Sequence, residues 1–226
     1  MQVGYHSLLS WLPLLCPGCT QPSRHGLLCP VCRSYLSSIN EPCPLCGEPD
    51  CNGEICGNCQ KRPPLWQSAR LPWHFSGLTR FLIHDFKYNH NLAAGRALAA
   101  EWLADFSPAV KPEAIVAVPM HHRRKHYKGF NQAEWLAGRM SKHLQIPRWN
   151  GLVRQQQTVT LEGLTKKERQ KALTNAFAVR EAPPQHIALV DDVYTSGATA
   201  TEVSRTLKKA GCQKIDIWAL ARTPLQ

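Results

Sequence analysis

No run in this 226-residue chain is long and apolar enough to cross a membrane. The longest apolar stretch near its start, Leu8 to Leu15, is interrupted by Ser10 and Pro13 and has no Lys or Arg ahead of it. It falls far short of the roughly 20 apolar residues that a spanning helix needs. We therefore expect no membrane insertion and, with no export signal, a cytoplasmic protein. Acidic residues are also scarce, with 16 Asp and Glu against 27 Lys and Arg, for a formal charge of +11. The shortage is local: residues 1–64 hold four basic and four acidic side chains, whereas residues 65–226 hold 23 and 12. The excess in the second part favours an anionic partner, although a solvated basic surface that aids solubility accounts for charge alone equally well. The cysteine-bearing segment of the first part is short, rich in Pro and Gly and poor in large apolar side chains, and cannot build a core by burial alone. The chain also lacks the lysine-bearing glycine loop that holds nucleoside triphosphates. What remains, with 43% hydrophobic residues, suffices for one medium α/β domain and something small beside it.

The small part carries eight of the ten cysteines in four CxxC pairs: Cys16/Cys19, Cys29/Cys32, Cys43/Cys46 and Cys56/Cys59. Adding 27 to each of the first four positions gives the second four, and the match extends from Pro17 to Pro44 and from Gly26 to Gly53. The unit is thus duplicated. In a reducing compartment such pairs point to metal thiolates rather than disulfides. Each CxxC turn presents two sulfurs on one knuckle, and two knuckles complete a tetrahedral Zn²⁺ site. Two structural zincs are expected, supplying much of the folding free energy of this segment. The spacing defines the knuckles and not their partners, so crossed pairing of Cys16/Cys19 with Cys43/Cys46 stays open. Cys51 and Cys212 fall outside the repeat, and Cys51 lies where it can compete as a ligand. Lys61 to Pro64 ends the ribbons with paired prolines, placing a double zinc-ribbon domain over residues 1–64 and a second domain over 65–226.

In the second domain, Phe81, Leu82, Phe86, then Leu92, Leu98 and Leu103 recur at helical spacing and predict two amphipathic helices before residue 107. Ile115 to Val118 reads as a strand ended by Pro119, Asn131 to Leu144 as a helix, and Ile187 to Val190 as a strand. Thr199 to Ala210 reads as a helix stopped by Gly211, and Ile215 to Leu220 as a closing strand. The alternation predicts an α/β fold with a mostly parallel sheet, helices on both faces, and ligands bound beyond the carboxyl ends of the strands.

The uninterrupted apolar run Ile187-Ala-Leu-Val190 delivers Asp191 and Asp192 to a strand's carboxyl edge. Two adjacent carboxylates repel and need a cation or hydroxyl donors. Thr195, Ser196, Gly197, Ala198 and Thr199 follow: small, hydroxyl-rich residues around one glycine at a helix start, which form a phosphate cradle. Carboxylates for a diol beside a phosphate loop fit a ribose 5-phosphate. After the earlier strand comes a basic run, His121-His-Arg-Arg-Lys-His-Tyr-Lys128, leading into Gly129-Phe-Asn-Gln132. Arg123, Arg124, Lys128 and Gly129 are candidates to neutralise a pyrophosphate, although such a run can equally be a solvated loop or a nucleic-acid backbone patch.

The stretch Ile187 to Thr199 resembles the fingerprint of the type I phosphoribosyltransferases: four apolar residues, two acids and a Thr/Ser-rich loop. The resemblance implies that Asp191 and Asp192 hold the ribose hydroxyls and that Thr195 to Thr199 hold the 5-phosphate of phosphoribosyl pyrophosphate, with Mg²⁺. Together with Gly129-Phe-Asn-Gln132, Phe86-Lys-Tyr88 and the leading CxxC ribbons, the whole chain resembles the ComF/GntX family of competence and DNA-utilisation proteins. That implies a type I phosphoribosyltransferase fold behind an amino-terminal zinc ribbon, a link to handling imported DNA, and single-stranded DNA and other DNA-uptake proteins as partners. The resemblance also implies a mobile segment ahead of the Asn-Ala-Phe stretch. Arg154, Thr158, Leu164, Arg169 and Asn175-Ala-Phe177 keep its pattern, while Gln156, Leu161 and Ala172 depart from it and remove one charge and two polar groups.

Three functions fit. One is a Mg²⁺-dependent phosphoribosyl transferase with Asp191 and Asp192 at the reacting ribose. A second is a binding module that senses phosphoribosyl pyrophosphate and holds single-stranded DNA. The third is a nucleobase salvage enzyme whose ribbons serve assembly, although no base-selective feature is legible in the candidate hood, Leu78 to Asn91. Trp66, Trp73, Trp102, Trp135, Trp149 and Trp218 can stack on bases, but their spacing suits a core better.

Overall fold

A computed structural model describes residues 14–104, 106–120, 130–155, 168 and 172–223. Five parallel strands form its central sheet. β1 (Ser68–Arg70) and β2 (Trp73–His74) both pair with β7 (Lys214–Arg222), which pairs with β6 (His186–Tyr194), which in turn pairs with β3 (Ala114–Ala117). β4 (Leu152–Arg154) and β5 (Phe177–Val179) make a separate antiparallel pair. The expected α/β class with a mostly parallel sheet is what the chain adopts.

Alternation along the strands sorts side chains to two cores, as the pleat requires. Ile115, Ala188, Val190, Trp218 and Leu220 face one side, under α3 (Gly77–Tyr88), α4 (Leu92–Ala104) and α5 (Gln132–Leu144). Val116, Ile187, Leu189, Ile215 and Ile217 face the other, under α6 (Ala198–Lys209) and the β4–β5 pair. α3 buries Thr79, Leu82, Ile83 and Phe86 at the expected helical spacing. α4 departs from expectation. Ala94, Gly95, Ala97, Leu98, Ala99, Trp102 and Leu103 bury most of its circumference rather than one stripe, because it is wedged between α3, α5 and the sheet. The Asn91 side chain caps α4 by accepting from the amides of Ala93 and Ala94, and Asn131 caps α5 by accepting from Ala133. Gly211 (φ +107°) ends α6.

Strand β6 runs four residues beyond the expected Val190. Its register with β7 continues through Asp191↔Ala219 to Tyr194↔Arg222, while β3 stops at Ala117↔Val190. Asp191 and Asp192 are therefore still inside a strand on one side and past the end of the sheet on the other. This corrects the expectation that they follow the strand, and it arises because β7 is long enough to keep pairing.

The duplication is also present in three dimensions. The amide of Cys16 donates to Gln21 and that of Cys43 to Glu48; the amide of Thr20 donates to Cys16 and that of Gly47 to Cys43. The short helices α1 (Pro30–Ser34) and α2 (Gly57–Lys61) follow the third knuckle residue in each copy. Positive φ recurs at Thr20 and Gly47, His25 and Asn52, and Gly26 and Gly53.

Candidate functional site

The two four-cysteine groups are Cys16, Cys19, Cys29, Cys32 and Cys43, Cys46, Cys56, Cys59, with the sulfurs of each group within 4.8 Å of one another. Each copy uses its own knuckles, so the crossed pairing is not adopted. The Cys19–Cys29 and Cys46–Cys56 sulfurs lie 3.8 and 3.7 Å apart. Four sulfurs held tetrahedrally about 2.3 Å from a zinc ion would be separated by about 3.8 Å, so the residues fit that ion. Backbone amides support the thiolates equivalently: Cys29 N–H points to Cys16 Sγ and Cys56 N–H to Cys43 Sγ, both at 3.4 Å. Cys51 stays outside the second group, its Sγ turned to the Pro49 carbonyl. Cys212 is buried and faces the carbonyls of Gln185 and Lys214.

At the carboxyl edge of β6, Asp191, Thr195, Gly197 and Thr199 line one cleft. Gly197 (φ +72°) turns the chain into α6, a conformation that favours glycine. Among the described residues, none of the amides from Thr195 to Thr199 donates to a carbonyl outside the regular elements. The Ser196 hydroxyl is buried without a partner among the described residues. A buried orphan oxygen and unclaimed amides at a helix amino terminus suit an anion.

The acid pair is asymmetric. Asp192 Oδ2 receives Lys87 Nζ at 2.9 Å, and its Oδ1 accepts the Val193 amide. Asp191 Oδ1 accepts the Asp192 amide, and Asp191 faces the cleft. Burial, then the neighbouring Asp192 charge, pushes the Asp191 carboxyl up to about 8. Burial opposes ionisation of Asp192 too, but the charge and hydrogen bond of Lys87 outweigh it and hold that carboxyl below its usual range. Lys87 is correspondingly raised, because Asp192 outweighs its own desolvation. The compensating cation that two adjacent carboxylates require is thus a side chain of α3. Sequence reasoning noted Phe86-Lys-Tyr88 only as part of a resemblance and assigned Lys87 no role. Its one available signal was a lone lysine at the end of a core-facing helical stripe.

Arg154 ends β4, with its guanidinium 5.5 Å from the centre of the Phe177 ring. Arg123, Arg124, Lys128, Gly129, Thr158 and Arg169 lie outside the described residues, as do Gln156, Leu161 and Leu164. Trp66, Trp73, Trp102 and Trp218 are buried, with Trp102 donating to the Ala219 carbonyl at 3.0 Å. Trp135 is half-buried against Phe86, and Trp149 is half-buried against Gly151.

The chain is 35% identical over 218 residues to competence protein F of Haemophilus influenzae, covering 92% of this chain and 95% of that one. It is 32% identical over 177 residues to the DNA utilization protein YhgH of Escherichia coli K12, covering 74% and 77%. No family model matches. A purine phosphoribosyltransferase from Pyrococcus horikoshii aligns with 19% identity and a TM-score of 0.35, over 65% of this chain and 74% of its own. A superposition that loose establishes no relationship by itself.

Proposed function

Starting from a chain that belongs to the family of competence protein F and the DNA utilization proteins, we propose that it acts in DNA uptake or utilisation through a phosphoribosyl pyrophosphate site on its α/β part. The observation that carries this reading is the cleft lined by Asp191, Thr195, Gly197 and Thr199 at a helix start where, among the described residues, no amide from Thr195 to Thr199 donates to a carbonyl outside the regular elements. In this reading the turn takes the 5-phosphate and Asp191 takes ribose hydroxyls. Lys87 keeps Asp192 ionised beside them, and Arg123, Arg124, Lys128 and Gly129 serve the pyrophosphate. Arg154, Thr158 and Arg169 are further candidates to contact the ligand. Mg²⁺, carried with the ligand, would screen its pyrophosphate charge. The two four-cysteine groups hold structural zinc, residues 1–64 and 65–226 are the two domains, and the protein works in the cytoplasm.

Calorimetric titration of phosphoribosyl pyrophosphate with Mg²⁺ into wild type and Asp191→Asn tests the site. Saturable binding that weakens at least about tenfold in the variant supports it, as expected for loss of charge-assisted hydrogen bonds. Absent binding, or equal binding by both proteins, refutes it.

Binding without transfer is the second reading, and the Lys87–Asp192 ion pair favours it, since one of the two acids is already engaged. In that role the protein senses the ligand while its basic part, which carries the whole charge excess, holds single-stranded DNA with little sequence preference. Isotope exchange between pyrophosphate and nucleotides, tried across the bases, separates the two. Exchange with any base establishes transfer, and silence with all of them leaves the sensing role.

A further inference from the structure

The second four-cysteine unit is joined to the 195–199 turn by a continuous run of side chains. Its first knuckle is fastened to the α/β part at three points. Trp66 Nε1 donates to the Leu45 carbonyl at 2.6 Å, the Ala69 amide donates to the Pro44 carbonyl at 2.7 Å, and Arg222 Nη2 donates to the Glu48 carboxylate. Gly47 allows the knuckle to lie flat on this support. Its φ is +69°, and a Cβ there would come within 3.0 Å of Leu71 Cδ1 and 3.3 Å of Arg222 Cδ.

Both anchors lead to one ring. Arg222 stands opposite Tyr194 in the β6–β7 register, and Trp66 meets the Tyr194 ring edge-on at 6.2 Å. The Tyr194 hydroxyl in turn lies against the turn itself, since a Cβ on Gly197 would sit 2.4 Å from it. Gly197 has the left-handed backbone that aims the neighbouring amides, so the position of this phenol limits how the turn can relax. The first four-cysteine unit is supported elsewhere: Arg33 pairs with Glu101 on α4, and Gly18 and Gly26 lie near Leu78 and Arg96.

We propose that Tyr194 is a positioning residue, a strut through which the second four-cysteine knuckle sets the conformation of the 195–199 turn. Ligand binding at the turn and metal retention by Cys43, Cys46, Cys56 and Cys59 are therefore coupled. The inference rests on the phosphate-site reading above. Loss of the metal releases Leu45 and Glu48, with them Trp66 and Arg222, and the phenol no longer buttresses Gly197. Occupancy of the turn acts in the opposite direction by the same factor, because coupling between two binding equilibria is reciprocal.

The test uses the full zinc-loaded chain treated with N-ethylmaleimide, with and without phosphoribosyl pyrophosphate and Mg²⁺, and alkylation rates read cysteine by cysteine by mass spectrometry. The ligand is expected to slow alkylation of Cys43, Cys46, Cys56 and Cys59 about fivefold or more, at the lower end of ordinary allosteric couplings. Cys16, Cys19, Cys29 and Cys32 are expected to change by less than about twofold. Tyr194→Ala abolishes that selective protection and weakens ligand binding about tenfold, whereas Tyr194→Phe, which keeps the ring against Trp66 but loses the hydroxyl nearest the turn, falls between Tyr194→Ala and the wild type. If the wild type binds the ligand yet protects both sets equally or neither, the coupling is overturned and the site stands. If the wild type does not bind, the site reading falls and takes the coupling with it. Should Tyr194→Ala fail to fold, the alkylation comparison in the unaltered protein decides alone.

Discussion

Replacing Lys87 by Met removes the single described cation that the structure sets against the acid pair. Nζ and Oδ2 are 2.9 Å apart, and charge centres about 4 Å apart attract by about 4 kcal/mol at an effective dielectric near 20. The side chains are only 26% and 13% exposed, so desolvation offsets part of that attraction, and Lys87 also feels Asp191, which survives removal of Asp192. A coupling of about 2 kcal/mol between Lys87 and Asp192 remains after these deductions. It can be measured in a double-mutant cycle of Lys87→Met, Asp192→Asn and the combined variant, unfolded by urea in zinc-saturated buffer at neutral pH. Tryptophan fluorescence reports the transition, because Trp102 and Trp218 are fully buried. With an m-value of about 2 kcal/mol per molar, Lys87→Met alone shifts the midpoint by about 1 M. The double variant loses about 2 kcal/mol less than the sum of the single losses. A coupling below about 0.5 kcal/mol, the worth of an exposed pair, would refute the claim that Lys87 holds Asp192 ionised, and with it the division of roles between the two acids.

Asp191, pushed up to about 8 by burial and then by Asp192, holds its proton more tightly than an ordinary carboxyl before ligand binds. If its carboxylate is the binding form, affinity for phosphoribosyl pyrophosphate with Mg²⁺ rises about tenfold per pH unit up to about 8 and then levels. Calorimetry should show this slope in wild type and a flat profile in Asp191→Asn; a slope of opposite sign contradicts the assignment. For folding the sign reverses. A carboxyl raised in the folded state contributes stability that is present below its unfolded pKa and is lost as pH climbs through about 8. In α4, a Cβ on Gly95 would lie 2.5 Å from two Phe86 ring carbons. Gly95→Ala gains up to about 1 kcal/mol of helix propensity but overpacks by about 1–3 kcal/mol, giving a net loss near 1 kcal/mol by urea unfolding. Unchanged or increased stability would show that α3 and α4 can separate freely.

Local patterns were readable where a short stretch of chain determines its own geometry. The cysteine repeat, with Pro17 and Pro44, Gly26 and Gly53, anticipated two equivalent units down to their turns. The Asn131 and Gly211 boundaries of α5 and α6 follow from capping chemistry that needs no distant partner. β1 and β2 were not legible, because Ser68-Ala-Arg70 and Trp73-His74 carry no apolar alternation. They are strands because β7 is already there to pair with them. The same reason explains β6, whose continuation past Val190 depends on Ala219 to Arg222 across the sheet.

The site divides along the same line. Asp191 and the 195–199 turn are neighbours in sequence, and their meeting at one cleft follows from a strand, a glycine and a helix start in succession. Lys87 and Tyr194 act through elements that the fold alone brings near. A lysine ending a helical stripe looks like any solvated cation, and a tyrosine between an acid pair and a Thr/Ser loop looks like a strand residue. Each becomes informative only through its partner: Lys87 through the charge it offsets on Asp192, Tyr194 through the glycine it abuts and the knuckle carried on Trp66. Local sequence therefore specifies which atoms of a ligand can be bound, whereas the protonation state of the acids and the setting of the turn are specified by packing between elements. For that reason the discriminating substitutions are at Lys87, outside the motif that first points to the site, and at Tyr194, which lies within that motif but has no role in its pattern.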